Sequence, residues 1–191
     1  MASLVLTGDT SGQVTVSAPA VAGSNTLTLQ AGTATNSMNT LATAVASTSG
    51  TSIDFTGLPA WVKRITVMFT GVSTSGTSFT QIQLGTGSTT YTTTGYLGGA
   101  YNGGGSVFST GMLFSQGGAA ADIRYGMAII TNITGNTWVV SGSTGLGNGT
   151  GGGSVFGGSI ALAAALTAVR ITTVNGTDTF DAGSINILYE G

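Results

Sequence analysis

The sequence predicts an all-β protein, an antiparallel β-sandwich of jelly-roll type preceded by a short β-stranded N-terminal segment. Three observations predict it. Apolar residues recur with a period of two along most of the chain, and helical periodicity is nearly absent. About nine or ten strand-like runs follow one another at roughly 8–15-residue intervals with no long helix between them. Gly, Asn, Asp and Ser punctuate those runs as turn residues.

The first runs are short. Ser3–Thr7, Gln13–Ser17 and Asn25–Gln30 read as strands, with Val14/Val16 and Leu27/Leu29 alternating against Thr or Ser. Gly8–Gly12 separates the first two runs; Pro19 and Gly23–Asn25 separate the next two. So few large side chains cannot build a core by themselves. Residues 1–35 are therefore read as an anchoring and trimerising segment whose interface residues are Leu4, Leu6, Val14, Val16, Leu27 and Leu29. Residues 36–50, rich in Ala, Thr and Ser, read as a connector, and residues 51–191 as the sandwich domain.

Within that domain, Thr51–Phe55 leads into the turn Thr56–Pro59. Arg64–Thr70 alternates Ile65, Val67 and Phe69 with Thr66, Met68 and Thr70. Phe79–Leu84, Tyr91–Tyr96, Val107–Phe114, Ile123–Thr131, Thr137–Ser141, Val155–Leu162, Ala168–Val174 and Ser184–Tyr189 complete the predicted strands. Asn175–Gly176 is a step that favours primed hairpin turns. One repeat is visible: Gly103–Phe108 recurs as Gly151–Phe156. Either the two copies form symmetry-related ligand loops, or they are flexible entries to two core strands with Phe108 and Phe156 buried.

Composition excludes several functions. Only 5% of the 191 residues are charged, four basic and six acidic, against about 25% in a typical domain. Four cations make no stripe for phosphate neutralisation, so no nucleic-acid partner is expected. The absence of His and Cys removes imidazole and thiol chemistry, zinc-finger sites and disulfides. A hydrophobic fraction of 41% with mean hydropathy +0.38 argues against intrinsic disorder. Met1–Gly8 does not read as a secretory signal. The longest apolar run, Ile160–Leu166, falls far short of the roughly 20 residues a spanning helix needs, so no membrane insertion is expected.

Motifs with chemical meaning are sparse. Gly147–Gly152 matches G-x-G-x-x-G, but a strand-like run follows it where a dinucleotide fold needs a helix. Asp178 and Asp181, with Glu190, Asp122 and Asp54, could supply calcium ligands only by converging, and Thr177–Thr179 reads equally as a turn. A serine nucleophile would have to recruit Lys63, the only lysine. No catalytic residue, cofactor site or metal site is assigned. Trp61 and Trp138 read as core or interface aromatics, whereas Tyr91, Tyr96 and Tyr101, spaced five apart, are the candidates for glycan contact.

A chain this poor in ionic side chains lacks the usual protection of its sheet edges. A symmetric oligomer that buries them against identical copies solves that, and a homotrimer is expected. The stretches Leu6–Gly12 and Ala18–Leu29 resemble a segment of tailed-bacteriophage virion proteins of the tail-fibre, head-fibre and capsid-decoration type, in which the final leucine is often followed by Pro; here Gln30 stands there. Thr51–Thr77, Val169–Thr177 and Ile185–Glu190 are similar to the domain that follows in those proteins, while Gly85–Gly153 matches in composition alone. The resemblance implies a virion location, a trimeric β-rich appendage or capsid cement, other virion proteins as partners, and no catalytic residues. Its alternative is a receptor-binding fibre tip that recognises host surface glycan through the Gly- and Tyr-rich loops.

Overall fold

The computed structural model describes residues 3–7, 13–17, 39–115, 119–120, 122–148 and 152–191. The chain divides into two compact units, Met1–Asn36 and Ser37–Gly191. In the first, β1 (Ser3–Thr7) and β2 (Gln13–Ser17) form an antiparallel pair that places Leu4 opposite Val16 and Leu6 opposite Val14. The side chains of those four residues lie outside the described part, as do Leu27, Leu29 and the strand expected at Asn25–Gln30.

The second unit is a two-sheet antiparallel sandwich with no α-helix among the described residues. Its strands are β3 (Thr40–Leu41), β4 (Val45–Ala46), β5 (Ser52–Thr56), β6 (Arg64–Thr74), β7 (Thr80–Gly85), β8 (Leu97–Tyr101), β9 (Gly105–Val107), β10 (Met112–Ser115), β11 (Arg124–Thr134), β12 (Thr137–Leu146), β13 (Gly153–Ala161), β14 (Ala168–Thr173) and β15 (Phe180–Glu190). The larger sheet runs β3-β15-β6-β11-β12-β13-β8-β9, with β4 also paired to β15; the smaller runs β10-β7-β14-β5. The strand order establishes the sandwich; it does not establish the jelly-roll connectivity.

Alternation decides which side chains face inward. On β6, Ile65, Val67 and Phe69 are buried while Thr66 and Met68 face outward, half-covered. The smaller sheet answers with Ile53 and Phe55, Ile82 and Leu84, Val169 and Ile171. The Phe69 and Phe114 rings stack across the two sheets at 4.2 Å and 11°. Each large apolar side chain buried this way contributes roughly 1.5–3 kcal/mol. Phe108 and Phe156 belong to this core at 5% and 6% exposure, so the glycine-rich repeat ends in two packing residues. The G-x-G-x-x-G match falls at the junction of the antiparallel neighbours β12 and β13, with no helix following.

Four sequence expectations change. Tyr91–Tyr96 is not a strand: Tyr91 makes an isolated bridge to Gly85, and the segment then runs as a loop. The loop lies along the edge of β7, where the Thr92 N–H donates to the Leu84 carbonyl at 2.9 Å. Val107–Phe114 divides between β9 of the larger sheet and β10 of the smaller, because the chain changes sheets at Phe108–Gly111. Asn175–Gly176 does not close a hairpin: β14 is in the smaller sheet and β15 in the larger, and the turn carries the chain between them. The connector supplies β3 and β4, which pair with β15 at the margin of the larger sheet.

The long strands β6 and β15 are bent together. Their register shifts between Phe180 and Ala182 and again between Ala182 and Ser184. At the bend Gly183 has φ +90° and faces Gly71 at φ +67°; a Cβ on Gly183 would fall inside contact distance of the Gly71 backbone. Both the conformation and the space exclude a side chain. Gly183→Ala is expected to destabilise the sandwich by about 1–3 kcal/mol or more, measured as a lower denaturant midpoint with an unchanged m-value.

Candidate functional site

The sandwich presents two outward faces of opposite chemistry. On the larger sheet, register aligns Asn186, Met68, Met127, Ser143, Val155 and Tyr101 across six strands. The adjacent row runs from Leu41 through Leu188, Thr66 and Ile129 to Ser141, Gly157, Gly99 and Val107. Neither row contains a charged side chain. Leu97, Tyr101, Val107 and Val155 stand 69%, 58%, 80% and 59% exposed, gathered on three neighbouring strands. The third row ends in the Arg64–Glu190 ion pair at 3.4 Å, at one margin of the face.

The smaller sheet is polar outside. Asp54, Arg170 and Gln83 sit opposite one another on β5, β14 and β7, as do Ser52, Thr172 and Gln81 one step along. Arg170 clasps Asp54 with two hydrogen bonds, Nε to Oδ1 at 2.8 Å and Nη2 to Oδ2 at 2.7 Å. Its guanidinium lies 3.9 Å from the centroid of the Tyr91 ring. Burial, followed by the charge of Asp54, raises the Tyr91 hydroxyl pKa, and Arg170 opposes the shift. Both charged side chains are about a third exposed, so the pair contributes about 1 kcal/mol or less.

Gln81 and Gln83 face outward yet are only 2% and 6% exposed, because the Phe108–Gly111 crossing lies over them. The Thr110 hydroxyl donates to Gln81 Oε1 at 2.9 Å, Gln83 Nε2 donates to the Thr110 carbonyl at 2.8 Å, and Gln81 Nε2 donates to the Thr173 carbonyl at 3.3 Å. The approach requires glycine at 111, where a Cβ would sit 2.9 Å from the Ile82 carbonyl oxygen and 2.7 Å from Gln81 Oε1. Beside this clamp opens a cleft of about 270 Å³, lined by hydroxyls, amides and Arg170.

The three candidate tyrosines do not come together. Tyr91 flanks the Arg170–Asp54 pair and Tyr101 stands on the outer face of the larger sheet. Tyr96 is a core residue at 3% exposure and offers no glycan contact; its hydroxyl accepts from the Leu84 N–H at 2.9 Å and donates to the Thr92 carbonyl at 3.0 Å. Five-residue spacing cannot hold side chains to one side of a loop that turns inward. Trp138 is buried, and Trp61 packs against Tyr189 with ring centroids 5.8 Å apart.

The described acids each serve a separate structural partner. Asp178 accepts from the Ser78 N–H and from Asn175 Nδ2, which together hold its carboxyl below the usual range, with Asn175 the larger influence. Asp181 receives the Ser73 hydroxyl, Glu190 meets Arg64, and Asp122 meets Arg124. Among the described residues no three of these acids gather where a metal ion could bind. Sequence reasoning passed over Arg124, which lies fully buried between the sheets with Nε on Ser115 Oγ at 2.8 Å and Nη1 on the Asp122 carbonyl at 3.2 Å. Burial lowers its pKa, and Asp122 and Asp181 counter the shift. A single Arg opening a strand gives no signal of this; strand ends are usually solvated.

Comparison with protein-family models, with characterised proteins and with solved structures finds no match for this chain.

Burial pushes the Tyr96 hydroxyl up to about 12, and its hydrogen bond from Leu84 opposes that shift. The folded value lies above the ordinary 10.0, so the stability contributed by the neutral phenol is whole below about pH 10 and lost as pH rises through about 12. Tyr96→Phe should remove that alkaline dependence in urea titrations and cost about 1–3 kcal/mol at neutral pH, because the Leu84 N–H loses its acceptor.

Proposed function

We propose that this chain is a non-enzymatic structural module of a tailed-bacteriophage virion, a capsid decoration or short fibre that assembles as a homotrimer and attaches to other virion proteins. The observation that carries this reading is the uncharged, partly apolar outer face of the larger sheet. Exposed apolar side chains gathered on one face, as Leu97, Tyr101, Val107 and Val155 are, mark an interaction site. A second copy of the same chain is the occupant that its charge pattern fits, since an ionic partner would find no counter-charge there. Identical copies related by a closed rotation bury such a face without leaving it open to further addition.

The first unit supports attachment. A two-stranded sheet with five-residue strands is marginal in water by itself, so β1 and β2 suit an element completed by another chain. The resemblance of Leu6–Leu29 and of both ends of the sandwich to phage virion proteins supplies the setting. The alternative, a fibre tip reading host glycan through Tyr91, Tyr96 and Tyr101, finds no common surface for the three rings.

Light scattering at micromolar concentration is expected to give three times the chain mass of 18.7 kDa. Met127→Lys with Val155→Lys should disperse the assembly to monomers while leaving the melting temperature of the sandwich nearly unchanged. A monomeric wild-type chain would sink the trimer. Antibody labelling of purified particles in electron microscopy tests the setting, and the absence of label from capsid and tail would overturn it.

A further inference from the structure

A closed threefold ring sets a condition that one patch cannot meet. Every contact in such a ring joins two unlike surfaces, so each chain must carry a second patch that fits the first. The first is well marked. A hollow of about 370 Å³ opens against β8 and β13, with Tyr101 and Val155 on its wall and Gly99 and Gly157 beneath. The exposed Leu97 lies two residues before Gly99 on β8, and the exposed Val107 lies opposite Gly99 on β9. The two glycines differ. Gly99 is held to glycine by its own fold, since a Cβ there would lie 2.8 Å from the Ser106 carbonyl oxygen. Gly157 has an ordinary backbone, and a Cβ on it would meet, among the described residues, the Val140 carbonyl oxygen alone, at 3.6 Å. Packing within the chain gives no reason for the missing side chain, and glycine inside a strand weakens it. Such a position suits the close approach of another chain.

The surface that fits lies at the opposite margin of the same sheet. Leu41 on β3 is 63% exposed, and it stands beside Leu188 in the cross-strand row that continues to Gly157, Gly99 and Val107. Strands β15, β6, β11 and β12 lie between β3 and β13, about 24 Å at the usual strand spacing, so a chain cannot fill its own hollow. Rotation about an axis running along the strands leaves every residue at its own height. A side chain in this row therefore meets the same row on the next copy. Charge agrees: β3 is Thr40–Leu41, and the Arg64–Glu190 pair at that margin neutralises itself. We propose that Leu41 of each copy, backed by Leu188, seats in the hollow over Gly157 of the next copy and closes the ring head to tail. The seating rests on the homotrimer and adds to it the identity of the two unlike patches.

The test uses the full chain and two variants. Gly157→Trp fills the hollow, and Leu41→Asp replaces the apolar knob with an unpaired charge. Each variant alone is expected to show the mass of one chain in light scattering, with cooperative thermal unfolding retained. Mixed in equal amounts, at concentrations well above those at which the wild-type chain assembles, they should form a complex of two chains and no larger species. Leu41 of the Gly157→Trp chain enters the open hollow of the Leu41→Asp chain, while the remaining two patches are blocked. If Gly157→Trp does not fold, Gly157→Leu takes its place in the same mixture. A trimer that survives either substitution would overturn the seating and leave the homotrimer standing. Two monomeric variants that fail to join when mixed would do the same, because they place like patches together. A monomeric wild-type chain would overturn both the seating and the homotrimer.

Discussion

The sandwich depends on one continuous apolar seam between two sheets of unequal width. The inward residues of β6, β11, β12, β13 and β15 meet those of β5, β7, β10 and β14, and the Phe69–Phe114 stack joins them where the sheets lie face to face. The larger sheet extends beyond the smaller, so loops must finish the cover. Leu58, Val62, Tyr96, Leu162 and Leu166 do this from outside the strands, all buried to within a few per cent. Tyr96 shows the chemistry required: its ring closes the seam while its hydroxyl supplies the hydrogen bond that a neighbouring strand would otherwise give to Leu84. A loop that covers a sheet edge in this way also prevents that edge from pairing with another chain.

Charge is spent where geometry needs it. Arg170 and Asp54 tie β14 to β5, Arg64 and Glu190 tie β6 to β15, and Asp178 organises the turn beneath Ser78. Arg124 is the exception, a guanidinium inside the sandwich near the end of β11, held by Ser115 and Asp122. Desolvating a cation is expensive, and such a group fixes geometry more than it adds stability. With the ions committed to these local pairs, little remains for the broad outer surface of the larger sheet. The outward rows there are made largely of Thr, Ser and Gly together with exposed apolar side chains.

The fold class was legible because period-two alternation is a direct image of the pleat: Ile65, Val67 and Phe69 announce an inward face without reference to any other part of the chain. What failed was everything set by partners distant in sequence. Asn175–Gly176 has the local chemistry of a hairpin turn, yet pairing of β14 with β5 and β7 sends the next strand to the other sheet. Tyr91–Tyr96 has the Tyr and Thr content of a strand but finds only the end of β7 to follow. Strand β8, Leu97–Tyr101, is poor in β-formers and was missed; it holds because β13 approaches closely at Gly98 and β9 at Gly99. Of the candidate site, Tyr91 was visible from sequence, whereas nothing in the expected strand Phe79–Leu84 signals that the Thr110 crossing covers Gln81 and Gln83.

The turn that carries the chain from one sheet to the other has a chemical future of its own. An asparagine followed by glycine is the dipeptide most prone to cyclise to a succinimide and open as aspartate or isoaspartate, one reason asparagine counts as heat-labile. Here the Asn175 amide is tied down: Oδ1 receives Thr173, Thr177 and Asp178, Nδ2 reaches Asp178, and the Gly176 nitrogen is engaged with the Thr173 carbonyl at 3.1 Å. While those bonds hold, the attacking nitrogen is kept occupied and ageing at this step is slow. Once hydrolysed, the side chain would set a second carboxylate against Asp178 and repel the very partner that now protects it. The crossing is therefore guarded by the same amide whose hydrolysis would remove the Nδ2 bond to Asp178.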